Sequence, residues 1–201
     1  MTEKSTAFPP SAAKRPHRSI MNIWHDIDEK RISKNDFIAV VEIPKGSKQK
    51  YEMDKETGLL ILDRILYTAT HYPANYGFIP RTYAEDGDPL DVLVLCSESL
   101  APMSLVRCYP IGVITMTDGG IRDEKIIAIP FKDPMYNCYR DISALPKHIA
   151  EEMEHFFQVY KQLEHNKITD INETGDSETA ARIIEKSIDR YNRHKDELLH
   201  K

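Results

Sequence analysis

Short β-rich runs follow one another from Ile23 to about Pro130, and that succession most limits what the chain can fold into. FIAVVEIP (Phe37 to Pro44), KYEMD (Lys50 to Asp54) and LLILDRIL (Leu59 to Leu66) come first, with KETG as the turn between the second and third. DVLVL (Asp91 to Leu95), VRCYPIGVITM (Val106 to Met116) and KIIAIPF (Lys125 to Phe131) follow, separated by EDGDP, SESLAPMS and TDGGIRDE. Those separators are turn-forming compositions. Short strands at this spacing favour a closed or partly closed barrel over alternating β/α units.

The period then changes. Ile149, Met153, Phe156, Tyr160 and Leu163 step by four, three, four and three, one face of a helix with a proline near its start. A second helix is expected from about Glu178 to Leu199, with Ala181, Ile184, Ile188 and Tyr191 on one side and Asp176 or Ser177 as its cap. The expected fold is α+β: a small β-barrel over about 37–131 with two C-terminal helices, about 146–199, packed on it. Residues 1–20 carry three prolines and four Lys/Arg against one Glu, which reads as a mobile tail ahead of a single domain from 21 to 201. An organelle transit peptide is the sharper reading of that segment, but Glu3 and the lack of an amphipathic pattern count against it.

Composition narrows the class. At 41% hydrophobic and 29% charged residues the chain is an ordinary soluble protein, and no apolar run approaches the roughly 20 residues a bilayer needs. A formal charge of -5 disfavours a nucleic-acid binder. Cys96, Cys108 and Cys138 are odd in number and form no CxxC pair, so a disulfide framework or zinc site is not expected and a reducing cytoplasm is.

Asp86-Gly-Asp88-Pro-Leu-Asp91 places three carboxylates at the mouth of an apolar strand. With a strand starting near Leu90, Leu90, Val92 and Val94 face one way, and Asp91, Leu93 and Leu95 the other. Three anions so close are costly unless a cation offsets them, and a hard divalent ion such as Mg²⁺ is the natural partner. A solvated acidic turn is the plain alternative. An EF-hand loop beginning at Asp86 fails because its twelfth residue is Ser97, and the phosphate-binding P-loop and any Ser or Cys nucleophile motif are absent. Asp118 and Asp123 bracket a second loop, and Glu42 and Glu52 flank the first hairpin.

Cations and phenols accompany the acids. Lys50, Lys125, Tyr72 and Tyr76 are candidates for a polyanion site, as are Tyr160 and Lys161 on the first helix. Arg64 interrupts a run that otherwise reads as buried, although a surface pair with Asp63 would also explain it. Core packing would equally explain the tyrosines, and a solvated helix face Lys161. Taken together, carboxylates, cations and phenols make a site for a polyanion bridged to divalent metals, the combination phosphoryl transfer needs.

From about Phe37 to near Lys167 the sequence resembles the soluble family I inorganic pyrophosphatases. The signature is Asp86-Gly-Asp88-Pro-Leu-Asp91-Val. It is joined in order by Glu-Ile-Pro, Lys-Tyr-Glu, Asp-Arg, Tyr-Pro-x-Asn-Tyr-Gly, Met-Thr-Asp, Asp-x-Lys and Tyr-Lys. The resemblance implies hydrolysis of pyrophosphate on an OB-like five-stranded barrel with several Mg²⁺ ions. It implies metal ligation by Asp86, Asp91, Asp118, Asp123 and Glu52, with Asp88 as general base. Arg64, Tyr160 and Lys161 would grip one phosphate, Lys50 and Tyr76 the other, and Lys125 would assist with charge. Glu42 and Tyr72 would stand one layer behind. The compact length resembles prokaryotic-type enzymes, which commonly form hexamers, and His155 would suit such an interface or a solvated helix face.

The N-terminal 20 residues, FKDPMYNCYRDI (Phe131 to Ile142) and the long charged last helix depart from the pattern. Rival readings are a Mg²⁺-dependent nucleotide or polyphosphate hydrolase, an OB-like binding module without activity, and a catalytically dead scaffold. No base-binding motif supports the first, acids stand where a nucleic-acid groove wants Lys/Arg, and the full residue pattern disfavours the last.

Overall fold

A computed structural model describes residues 22–55, 57–164 and 169–199. The expected N-terminal tail therefore lies outside the described residues. The strands are β1 (Ile32–Ser33), β2 (Asp36–Ile43), β3 (Gln49–Met53), β4 (Leu60–Ile65), β5 (Asn75–Phe78), β6 (Asp91–Val94), β7 (Leu105–Asp118), β8 (Ile121–Pro130) and β9 (Thr169–Asp176). Helix α1 (Lys147–Val159) precedes β9, and α2 (Ser177–Leu198) follows it.

The main sheet closes into a ring. Its order is β1-β2-β5-β6-β8-β7-β9, and β2 also pairs with β7, so β2, β5, β6, β8 and β7 form a five-stranded barrel. One long β2 serves both neighbours: Phe37 to Val40 pair with β7, and Val40 to Ile43 with β5. Gly77 lets β5 lie that close. A Cβ there would sit 1.8 Å from the Val40 carbonyl oxygen, which no side chain can accommodate.

The parallel pair β6–β8 sets the site. Its register places Asp91 opposite Lys125 and Leu93 opposite Ile127. The alternation expected for β6 is present: Leu90, Val92 and Val94 join the apolar cluster containing Ile183 and Ile184 of α2. Leu93 and Leu95 join the cluster containing Met153, Phe156 and Phe157 of α1. Asp91 shares the second face, so it points toward α1 rather than α2.

Several sequence expectations need correction. The strand β5 was not foreseen, because NYGF is only four residues long, contains glycine, and has a proline beyond each end. Nor was β9, whose polar TDINETGD pairs along the far half of β7 as an edge strand. LLILDRIL is not a buried run: β4 pairs only with β3, in a separate two-stranded ribbon, and Leu59, Ile61, Leu62 and Ile65 are exposed. Helix α1 stops at Val159, with Tyr160 as its C-cap, so Leu163 leaves the apolar stripe and is exposed. Helix α2 is capped as expected, the Asp176 carboxylate accepting from the Thr179 N–H at 2.8 Å. All three cysteines are free thiols. Among the described residues, no helix is long and apolar enough to cross a membrane.

Candidate active site

A cavity of about 440 Å³ opens between the β3–β4 ribbon, the start of β6 and the C-terminal end of α1. Its walls include Glu42, Lys50, Glu52, Arg64, Tyr72, Tyr76, Asp86, Asp88, Asp91, Asp123, Lys125, Tyr160 and Lys161. Of the residues singled out from sequence only Asp118 is missing; it ends β7, and its side chain lies outside the described residues. The remainder, scattered over 120 positions of sequence, is brought to one wall by barrel closure and by α1.

The centre of the cup is Lys125. It is 4% exposed, and its Nζ donates to Asp91 Oδ2 at 2.5 Å and to both Asp123 carboxylate oxygens at 2.7 Å. The rings of Tyr76 and Phe157 lie 5.7 and 5.8 Å from the same ammonium. Burial alone would push Lys125 toward neutrality, but the two aspartates hold its pKa well above the usual lysine value. Burial likewise raises the Tyr76 phenol well above its ordinary pKa, and the neighbouring Asp91 charge adds to it, so Tyr76 stays protonated as a donor.

The acids feel one another. Asp86 is pushed up to about 6, chiefly by burial; the Asp88 N–H, donating at 3.0 Å, partly offsets this, and the charges of Asp91, Asp88 and Asp123 add to it. Glu42, which follows two valines in β2, is 7% exposed and accepts from the Met53 N–H at 2.7 Å. Burial first, then Asp91, raises its carboxyl to about 8. It therefore joins barrel to ribbon beneath the cup as a neutral acid at neutral pH.

The ribbon supplies the cationic wall. Lys50 pairs with Glu52 and, at 3.0 Å, with Asp63. Arg64 pairs with Asp63, and its Nε donates to Glu164 at 2.7 Å. The Asp63 pair considered from sequence is thus real, but Arg64 also lines the cup, and its buried Nη2 has no hydrogen-bond partner among the described residues. A buried guanidinium nitrogen with an open donor calls for an anion. Tyr160 and Lys161 are 4% and 9% exposed. For Tyr160 the core and cavity readings both hold, since it packs on Phe156 and Phe157 and lines the cup. Tyr72, 2% exposed, packs its ring at a tilt against both Tyr76 and Phe156.

Three chemistry-bearing neighbours were missed. Asp63 and Glu164 hold Arg64, and Lys55 forms an ion pair with Asp88. Asp63 was visible only as a possible partner of Arg64. Lys55 looks like any turn lysine, and Glu164 depends on the chain path after α1.

Among the described residues the lining has seven carboxyl groups (Glu42, Glu52, Asp63, Asp86, Asp88, Asp91, Asp123) against five cations (Lys50, Lys55, Arg64, Lys125, Lys161). Those acids are hard oxygen donors, and the neighbouring Asp91, Asp88 and Asp123 charges add to the burial that raises Asp86; they suit a hard divalent ion. Among the described residues no group of three acids or other ligands already converges on one point, and Lys125 stands between Asp91 and Asp123.

Fold and site together define a class: a small barrel whose rim carries a cup crowded with carboxylates and cations. The sequence model described as inorganic pyrophosphatase matches residues 39–192. Soluble inorganic pyrophosphatase 2 of Chlamydomonas reinhardtii is 47% identical over 171 residues, 85% of this chain and 88% of the relative. The inorganic pyrophosphatase of Aquifex pyrophilus is 44% identical over 170 residues, 84% of this chain and 96% of the relative. The solved inorganic pyrophosphatase of Thermus thermophilus superposes with a TM-score of 0.81 at 36% identity, covering 86% of this chain and 99% of that one. The chain belongs to the family I inorganic pyrophosphatases.

Proposed function

We propose that this chain hydrolyses inorganic pyrophosphate to two phosphates, using a water molecule activated beside Mg²⁺. One observation carries the reading most: Arg64, whose buried Nη2 lacks a partner among the described residues, lines the same cavity in which Asp86, Asp88, Asp91 and Asp123 crowd. A phosphoanhydride with divalent ions satisfies both walls.

Asp86, Asp91 and Asp123 would hold one ion, with Asp91 shared with a second, Asp118 and Asp123 a third, and Glu52 a further one through water. Bound ions supply charge neutralisation and make nearby water more acidic. The chain does the rest. Asp88 takes one proton from the attacking water as its oxygen bonds to phosphorus, and the bridging P–O bond breaks with its electron pair leaving on the second phosphate. Arg64, Tyr160 and Lys161 hold one phosphate and Lys50 and Tyr76 the other. With ions held by Asp91 and Asp123, Lys125 would meet substrate charge. Glu42 and Tyr72 support from behind.

A homo-oligomer, with a hexamer favoured, a cytoplasmic location, no nucleic-acid partner, and one domain from 21 onward behind a tail over 1–20 belong to the same proposal. The test is phosphate release from pyrophosphate, ATP and a polyphosphate, each in excess Mg²⁺ and with pyrophosphate as competitor. Turnover of pyrophosphate far above the others is expected. Equal or faster use of ATP or polyphosphate would move the substrate to that class, and no turnover with any of them would leave a binding module.

A further inference from the structure

The ion pair between Lys55 and Asp88 spans the cavity mouth, joining the tip of the β3–β4 ribbon to the loop that bears the proposed base. Both ends are held. At the tip, Asp54 and Gly58 close a turn, the Gly58 N–H donating to the Asp54 carbonyl at 2.8 Å, and the Lys55 carbonyl accepts from Asn22 Nδ2 at 3.3 Å. The Lys55 ammonium lies 5.8 Å from the centre of the Trp24 ring. Trp24 is itself fixed: it is 3% exposed, and its indole N–H donates to the Thr82 carbonyl at 2.9 Å. Thr82 begins the loop leading to Asp86 and Asp88, and its hydroxyl accepts from the Leu90 N–H at 2.8 Å on the far side. At the other end the Asp88 carbonyl accepts from the Ala84 N–H at 2.8 Å. The ammonium thus sits in a frame built from the loop it contacts.

We propose that Lys55 is a positioning residue for the hydrolysis, its Trp24-backed ammonium holding Asp88 Oδ1 so that Oδ2 is aimed at the attacking water. Asp88 Oδ2 takes no hydrogen bond from any described residue, which leaves it as the proton acceptor. Three of the other cavity cations have partners elsewhere: Lys50 on Glu52 and Asp63, Arg64 on Asp63 and Glu164, Lys125 on Asp91 and Asp123. A carboxylate with a half-exposed side chain on a glycine-containing loop rotates freely unless something holds it, and misplacement of a reacting group by about 1 Å can cost on the order of 100-fold in rate. The inference rests on Asp88 being the base.

The test compares Lys55→Met, Lys55→Arg, Asp88→Asn and the Lys55→Met/Asp88→Asn double variant, at saturating Mg²⁺ with pyrophosphate as substrate. Lys55 is half-exposed, and circular dichroism and melting temperature check that each variant folds. Expected is a fall in kcat of about 10- to 100-fold in Lys55→Met with KM within about threefold, substantial recovery in Lys55→Arg, and no further loss when Lys55→Met is added to Asp88→Asn. A raised KM with kcat intact would make Lys55 a phosphate ligand and overturn the proposal. So would an equal fall in the Asp88→Asn background, which would show action independent of Asp88. Unchanged kinetics in Lys55→Met would also overturn it. Near-normal turnover of Asp88→Asn alone would instead defeat the base assignment, and is read separately from the Lys55 single variants.

Discussion

Glu42 shows how burial, with Asp91 beside it, changes the charge of a single carboxyl group. Its carboxyl is raised to about 8 from an ordinary 4.5, so in the folded protein it holds a proton that the unfolded chain has released by neutral pH. The associated stability is therefore fully present below about pH 4.5 and is lost as pH rises through 8, amounting to about 5 kcal/mol. Glu42→Gln keeps the acceptor for the Met53 N–H and removes the titration. Denaturant unfolding in chelator should show the wild type weakening from pH 5 to 8.5 relative to the variant; parallel curves would mean Glu42 is ionised in the fold. Much of the residue scale was legible in the sequence, because charged groups inside apolar runs are conspicuous, as with Glu42 and Arg64. What was not legible was adjacency. Asp91 and Lys125 touch only because a parallel strand pair joins segments 34 residues apart, and Lys55 reaches Asp88 only because the ribbon folds over the mouth.

At the scale of elements, pattern served where one face was buried and one was not. The steps of α1 and α2 and the alternation of β6 follow from that contrast, and each appears where periodicity placed it except that α1 ends before Leu163. Elements without the contrast were misread. β5 is buried on both sides and too short to show a period, β9 is a polar edge, and the apolar residues of β4 face outward on a ribbon. Barrel closure tests the element account most sharply at Gly77, whose absent Cβ admits the Val40 carbonyl. Gly77→Ala should destabilise by more than about 4 kcal/mol or prevent folding, since backbone must move on both strands. A melting temperature within a degree or two of wild type would show that β2 and β5 are not packed this closely.

The molecule as a whole joins a rigid barrel to a cup with more acid than base, and the two are coupled. Among the described residues the cup holds seven carboxyl groups, one of them (Glu42) neutral, against five cations, and a bound divalent ion would relieve their mutual repulsion. A divalent ion that binds only the folded state at about 100 times its Kd adds about 2.7 kcal/mol, which for a chain of this size raises the melting temperature by about 5–10 °C. Differential scanning calorimetry with Mg²⁺, against NaCl of equal ionic strength, should show that rise for Mg²⁺ alone. Equal shifts would reduce the effect to screening. Membership of the pyrophosphatase family and the acidic, cation-backed cup agree at this scale, and on the proposed reading the fold holds charged groups together for a diphosphate and its metals to complete.

The most direct measurement is the initial rate of phosphate release from pyrophosphate by wild type and Asp88→Asn, each with Mg²⁺ and with chelator. Rapid wild-type turnover abolished by chelator, and a fall of at least about 100-fold in kcat for Asp88→Asn with KM little changed, are expected. Turnover that survives the chelator, or an Asp88→Asn enzyme close to wild type, would contradict the account.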